Sequence, residues 1–196
     1  MEKKEIKEQR MREYFISAAR EILQGEGMSA LNVRAVAERA GYSYATLYNY
    51  FSDLKDLVFE CIAAFITECD QLLRDKMEGK SRGFERIKAA HRSYVDYFVQ
   101  YPGIFDIFYI EKMSDFPGRK KTGIVIRSFH RDLASEDWDF CVSSGLVTSE
   151  AAEGMKDRLV IQIAGILLYY LNRNDPASYK EFSATVDTML GDILRV

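Results

Sequence analysis

From Ser43 to Phe51 the chain reads Ser-Tyr-Ala-Thr-Leu-Tyr-Asn-Tyr-Phe, a run of hydroxyl, amide and apolar side chains with no formal charge. Tyrosine and threonine hydroxyls donate to oxygen acceptors, an asparagine amide offers a paired donor and acceptor, and an alanine or threonine methyl makes apolar contact. Such a set recognises a polar surface and activates no nucleophile. No catalytic pattern is spelled out elsewhere. His130-Arg131-Asp132 lies in a helical block without a nucleophile turn, and the chain has no Gly-rich phosphate loop and no His-x-x-x-His pair. Cys61, Cys69 and Cys141 are odd in number and far apart, and His91 and His130 are the two histidines. Neither a disulfide framework nor a metal site is expected, and no cofactor is implied. The thiols read as small core residues.

Neighbouring elements must position this run. Asn32 is placed to cap a short helix in which Val33, Val36, Ala37 and Ala40 share one face, and Gly41 stops it. Gly41-Tyr42-Ser43 leaves room for a tight turn, with Ser43 able to cap the next helix. The spacing predicts a very short helix from Tyr44 to about Phe51, with Leu47 and Phe51 facing inward and Tyr44, Ala45, Tyr48 and Asn49 towards the other side. Two helices joined by a short glycine-containing turn form a helix-turn-helix, whose second helix can enter a major groove. Ahead of it, Met11, Phe15, Ala18 and Ile22 mark a first helix over Ile6 to Gln24, ended by Gly25 and Gly27. Ser52 and Asp53 restart the chain as a long helix from about Leu54 to Met77.

The wording is more specific than the pattern. Asn32-Val33-Arg34-Ala35-Val36-Ala37, Ala40-Gly41-Tyr42-Ser43 and Thr46-Leu47-Tyr48-Asn49-Tyr50-Phe51, with Ala18-Ala19 and Gly27 before and Leu57 beyond, closely resemble the N-terminal domain of the tetracycline-repressor (TetR) family. This resemblance covers roughly the first 60 residues. It implies a helix-turn-helix DNA-binding domain over residues 1–53 and a helical effector-binding and dimerisation domain over 54–196. It also implies a ligand-responsive transcriptional regulator, by family habit a repressor, that binds a near-palindromic operator as a homodimer. The residues expected to face DNA are Arg34, Ser43, Tyr44, Ala45, Thr46, Tyr48, Asn49, Tyr50 and Lys55. Asn49 suits an adenine edge, and Ala45 or the Thr46 methyl suits a thymine methyl. The resemblance makes Tyr48 and Tyr50 phosphate anchors and brings Arg34 to the backbone, although Tyr50 serves equally well for packing against the first helix. One position departs. Leu54 stands where the family commonly has a lysine, and Lys55 follows one residue later, rotated by about 100° on a helix.

Composition sets the class. The chain has 196 residues, 47% hydrophobic and 29% charged, with three prolines, which favours one all-α chain over a fold of many strands. Twenty-seven basic against 30 acidic residues give a formal charge of −3, so a polyanion must be met by a local patch. Even Met1 to Glu60 carries nine basic and ten acidic residues; within Met1 to Arg12, however, Lys3, Lys4, Lys7, Arg10 and Arg12 face three acidic ones. This leading arm and the amino ends of the short helices are expected to supply local attraction. Leu159 to Leu171, interrupted by Gln162, is too short an apolar run to cross a bilayer, and the charged start is unlike a signal peptide. A cytoplasmic location without a membrane partner is expected.

Beyond Met77, helical blocks are predicted over about Phe84 to Tyr101, Ile104 to Lys112, Lys121 to Ser144, Ser149 to Asn172 and Ala177 to Arg195. Pro102-Gly103, Phe116-Pro117-Gly118, Gly145 and Asp175-Pro176 punctuate them, with Asp175 able to cap the last. Tyr94, Tyr97, Phe98, Tyr101, Phe105, Phe108 and Tyr109 concentrate aromatic rings. They read either as core or, as the resemblance implies, as the wall of a cavity for a small apolar or aromatic effector, with Phe129, His130 and Trp138 as further candidates. His130 also reads as a half-buried histidine satisfied by its surroundings. Leu159, Ile163, Ile166, Leu167 and Tyr170, with Phe182, Val186, Met189 and Ile193 on the last helix, are expected to join a second copy, the resemblance implying a four-helix interface. The competing reading is a helical ligand-binding or interaction module without sequence-specific DNA binding.

Overall fold

The computed structural model describes residues 3–111 and 119–195, and all regular structure among them is helical. Ten α-helices follow in order: α1 (Lys3–Gly25), α2 (Val33–Ala40), α3 (Tyr44–Leu47), α4 (Leu54–Met77), α5 (Phe84–Gln100), α6 (Pro102–Phe105), α7 (Arg119–Arg131), α8 (Ser135–Ser143), α9 (Ser149–Arg173) and α10 (Tyr179–Ile193). A π-helical turn, Asp106–Ile110, continues α6. The expected break at Phe116-Pro117-Gly118, the end of the preceding block at Lys112, and Met1 and Glu2 of the arm lie outside the described residues.

Local chemistry sets most of the ends. The Asn32 side chain accepts from the Arg34 and Ala35 amides, Thr148 caps α9, and Gly41 leaves α2 with φ of 77°. Three boundaries differ from expectation. The last helix is capped by Ser178 and not by Asp175; its side chain accepts from the Glu181 amide. The block expected as one helix over 121–144 is two helices, α7 and α8, parted at Asp132-Leu133-Ala134, where Ala134 adopts a left-handed conformation at φ 56°. α3 ends at Leu47 and not near Phe51. Beyond it, Asn49 donates to the Thr46 carbonyl and Tyr50 to that of Leu47, a tighter winding that returns Phe51 to the core beside Leu47.

Contacts divide the chain into two compact units, one formed by residues 1–67 with 101–124, the other by 68–100 with 125–196. The expected boundary at residues 53/54 falls within the first unit, because α4 as far as Thr67 packs with the head. Cys61 and Phe65 are fully buried, the Cys61 thiol donates to the Ile16 carbonyl, and the Arg20 guanidinium lies 5.0 Å over the Phe65 ring. In the same unit α6 lies against α1 so closely that a Cβ on Gly103 would stand 2.4 Å from the Leu23 carbonyl oxygen.

In the second unit α5, α8, α9 and α10 enclose a separate core. Leu159, Ile163 and Leu167 of α9 and Phe182, Val186 and Ile193 of α10 are buried within it, and Tyr170 stacks on Phe182 with ring centroids 4.0 Å apart. Arg92 of α5 donates to the Ser183 carbonyl and pairs with Asp187, tying α5 to α10. Of the residues expected to join a second copy, those six side chains are covered by their own chain, while Ile166, Tyr170 and Met189 are half-buried. The outward face of α9 carries Ile161, Gly165, Leu168 and Tyr169 instead.

A methyl group at residue 103 would press on a backbone oxygen that has no rotamer to change. Gly103→Ala is therefore expected to cost about 1–3 kcal/mol, measured as a lowered urea midpoint at unchanged slope; an unchanged midpoint would mean that α1 and α6 separate without penalty.

Candidate nucleic-acid interface

The helix-turn-helix is fixed from both ends. At the turn, the Tyr42 amide donates to the Ala37 carbonyl at 2.9 Å, and Ser43 Oγ accepts from the Thr46 amide at 3.2 Å. The Ser43 and Thr46 hydroxyls also lie 2.9 Å apart, so both spend part of their capacity on each other. Leu47 and Phe51 are buried, and the Phe15 ring meets Phe51 edge-on. What this leaves in solvent is Ser43, Tyr44, Ala45, Tyr48 and Asn49, with Tyr44 59% and Tyr48 52% exposed. Thr46 is half-buried.

Tyr50 is also half-buried, with its ring 6.1 Å from that of Phe15 and its carbonyl accepting from Arg12, which places it against the first helix. Arg34 and Lys55 are exposed and enter no ion pair among the described residues, while Leu54 is half-buried. At the start of α4, Asp53 accepts from the Asp56 amide at 2.8 Å and Asp56 accepts from the Ser52 amide at 3.1 Å, so Lys55 issues from a capped first turn.

Two features escape sequence reasoning. Arg12, counted there among the cations of the arm, is an internal fastener: it donates to the Tyr50 carbonyl, pairs with Glu60 at 3.0 Å and lies 4.5 Å over the Phe51 ring. Its partners are 38 and 48 residues away, beyond any local pattern. Tyr42 stacks on Tyr14 with ring centroids 6.1 Å apart, which fixes the flank of α1 beside the turn.

The aromatic residues expected to line one effector cavity fall in both units. In the second, Tyr94 stacks on His130 with centroids 4.3 Å apart and meets Phe98 edge-on at 4.8 Å and Phe129 at 5.9 Å; Tyr97 is buried beside Phe98. Trp138 packs elsewhere, edge-on to Phe84. Tyr101, Phe105, Phe108 and Tyr109 belong to the first unit, where Phe105 stacks on Tyr109. Tyr94, Tyr97, Phe98 and Trp138 are buried in the second unit, and Phe105 and Phe108 in the first. A cleft of about 400 Å³ opens instead between the end of α4, α5 and the α7–α8 corner, lined by Leu73, Arg74, Met77, Arg86, Leu133, Glu136 and Asp137 among others. It escapes sequence reasoning because the spacing predicts helix straight through the corner at 132–134.

Two buried imidazoles, His91 and His130, lie with ring centroids 6.1 Å apart. Desolvation holds His91 at about 4, even though its Nδ1–H donates to the Ile87 carbonyl at 2.8 Å, and lowers His130 well below the usual imidazole range. Burial pushes the Cys61 thiol up to about 12, which leaves it inert.

A capped helix-turn-helix that shows an uncharged, hydroxyl-rich stub to solvent defines a helix-turn-helix protein of the all-α class. Residues 15–61 match the model for bacterial regulatory proteins of the tetR family. Solved structures share the chain's fold over almost the whole length. A transcriptional regulator FadR from Bacillus subtilis in complex with stearoyl-CoA aligns with a TM-score of 0.74 at 14% identity, over 93% of this chain and 97% of that one. AibR in complex with isovaleryl coenzyme A and operator DNA aligns at 0.63 and 13%, over 92% and 96%. A regulator of the TetR/AcrR family from Thermobifida fusca aligns at 0.61 and 17%, over 94% and 96%. No curated protein matches the sequence. Among the described residues, no helix is long and apolar enough to cross a membrane.

The two buried histidines set a sign for stability against pH. Below about pH 6.5 the unfolded chain takes up protons that the folded chain refuses until about pH 4 for His91. Stability should therefore fall as pH drops through that window, by on the order of 3 kcal/mol for His91 alone. Urea midpoints at pH 7 and pH 5 should differ more for the parent protein than for His91→Gln; equal differences would show that His91 is solvated in its charged form.

Proposed function

We propose that the chain is a ligand-responsive transcriptional regulator that binds a near-palindromic operator as a homodimer and is released by a small effector, acting as a repressor. The observation that carries the reading is the stub itself. Its apolar side is spent on Phe15 and the core, and its polar side, Tyr44, Ala45, Tyr48 and Asn49, is left to solvent without a partner surface in its own unit. A helix held in that way suits a major groove.

Within the proposal, Tyr48 and Tyr44 donate hydroxyls to phosphates, and Asn49 reads a base edge. Arg34 at the start of α2 and Lys55 at the start of α4 add charge at either side. Tyr50 serves mainly as the packing residue that sets the depth of the stub. Lys55 takes the place of the family lysine, at a rotation that its long side chain can absorb.

Two heads spaced by one helical turn of DNA, about 34 Å, require a dimer. The surface suited to it is the outward face of α9, where Ile161 is 71% exposed, Leu168 is exposed, and Gly165 has open space beside it that would let a second helix approach. The groove beside it, bordered by Arg158, Gln162, Thr185 and Thr188, extends the face onto α10.

For release, a ligand must favour the conformation with mis-spaced heads; a coupling of roughly 1–3 kcal/mol gives a 5- to 150-fold change in affinity. The helical body is the place for the effector, and two structural neighbours described with acyl-CoA ligands make acyl thioesters the first compounds to test beside apolar and aromatic ones.

DNA fragments selected by the protein from a random pool provide the test. On a panel of single-base variants of the selected site, Asn49→Ala should lose roughly 1–3 kcal/mol of discrimination at one position, and Tyr48→Phe should weaken all sites evenly. An even loss for Asn49→Ala removes its reading role, and failure to select any sequence favours a module that does not bind DNA specifically. In sedimentation the parent should run as a dimer and Ile161→Arg as a folded monomer; a parent that is monomeric while bound tightly to a palindrome would defeat the two-head arrangement.

A further inference from the structure

The first three turns of α1 stand outside the helix-turn-helix and its family match. That match begins at residue 15, whereas α1 begins at Lys3, and every residue from Lys4 to Arg10 is exposed. At 100° per residue, Lys7, Arg10 and Tyr14 fall within about 60° of one another, Glu5 and Glu8 lie about 100° or more from all three, and the exposed Glu13 borders the stripe about 60° from Arg10. The amphipathic division here is one of charge. Lys7 and Arg10 enter no ion pair among the described residues, unlike Arg12, which is held by Glu60 and the Tyr50 carbonyl.

The stripe has a fixed bearing. Tyr14 stacks on Tyr42, and Tyr42 precedes Ser43, the cap of α3. Because Tyr14 shares its face with Lys7 and Arg10, the ring contact places the cationic edge of α1 on the same flank as the start of the exposed stub. Lys7 lies about 10 Å and Arg10 about 6 Å along the axis from Tyr14 at 1.5 Å per residue, so the two cations carry this edge outward from the turn.

We infer that the Lys7–Arg10 edge of α1 is a second DNA-contacting surface, one that grips the phosphates flanking the base pairs met by α3 and lengthens the footprint without reading sequence. The occupant follows from charge complementarity and from continuity with the stub, since two unpaired cations on a helix edge match an evenly spaced anionic strand. The inference rests on the regulator reading for the operator and adds to it the footprint and the salt dependence. It also locates the attraction that a formal charge of −3 conceals.

The test compares the parent with Lys7→Ala/Arg10→Ala, exposed positions where alanine preserves the helix. Binding is titrated with salt on three duplexes: the selected site trimmed to its conserved base pairs, the same site with about five arbitrary base pairs added at each end, and a random duplex. On the extended duplex, the logarithmic salt slope of the double variant should be shallower than the parent's by about 0.9 for each lost phosphate contact, about 1.8 per head. Between 50 and 200 mM salt that amounts to roughly a twelvefold difference in the affinity change per head. The slopes should converge on the trimmed duplex, and changing the flanking sequence should alter nothing. Identical slopes on the extended duplex, or a loss confined to particular flanking sequences, would overturn the inference. If the parent selects no sequence, the regulator reading fails by itself, and the slopes on the random duplex still decide whether this edge binds phosphate.

Discussion

Leu47 and Phe51 cannot both stay buried unless Tyr44, Tyr48 and Asn49 point away from the body. Full burial of a leucine or phenylalanine contributes about 1.5–3 kcal/mol, and a helix cap about 1 kcal/mol. Two buried anchors in a stub this short therefore outweigh its own helical propensity, which is negligible at one turn of regular helix. Rotating the stub by one residue would expose Leu47 and bury the Tyr48 hydroxyl without a partner. The packing sets the bearing of the polar face, while the Ser43 cap and the left-handed Gly41 set only where the stub begins.

Features determined by neighbours in the chain were legible in the sequence: the caps at Asn32 and Ser43, the stop at Gly41, the span of α4 and the inward pair Leu47 and Phe51. Features decided at a distance were not. The break between α7 and α8 has no glycine or proline to announce it, and Ala134 takes up a left-handed conformation that its side chain does not favour. α9 is apolar nearly all round, so periodicity cannot choose its inward face. The choice is made by α5 and α10, and it turns Leu159, Ile163 and Leu167 inward while Ile161 and Leu168 face solvent. Likewise Arg12 has the composition of an arm residue and the position of a fastener, a distinction that appears only once Tyr50 and Glu60 are folded back onto it.

The charge of the head illustrates why a sum over residues is a poor guide to what a ligand meets. Nearly equal numbers of acidic and basic residues up to Glu60 suggest a surface with no preference for anions. Yet Arg39 is occupied by Glu21 and Glu26, and Arg12 by Glu60, so these groups cancel at contact distance and project little field. Asp53 and Asp56 are engaged with backbone amides at the start of α4. Screening at physiological salt acts over about 8 Å, so a duplex bound as proposed would respond to the cations left unpaired on the near side and scarcely to carboxylates across the domain. Arg34, Lys55, Lys4, Lys7 and Arg10 are exposed cations that enter no ion pair among the described residues, distributed over α2, α4 and α1 around an uncharged stub. On the proposed reading, neutral contacts in the groove combined with sparse cations at its rim would confine the salt-dependent attraction to the phosphates, and would leave the hydroxyls and the Asn49 amide to distinguish one sequence from another.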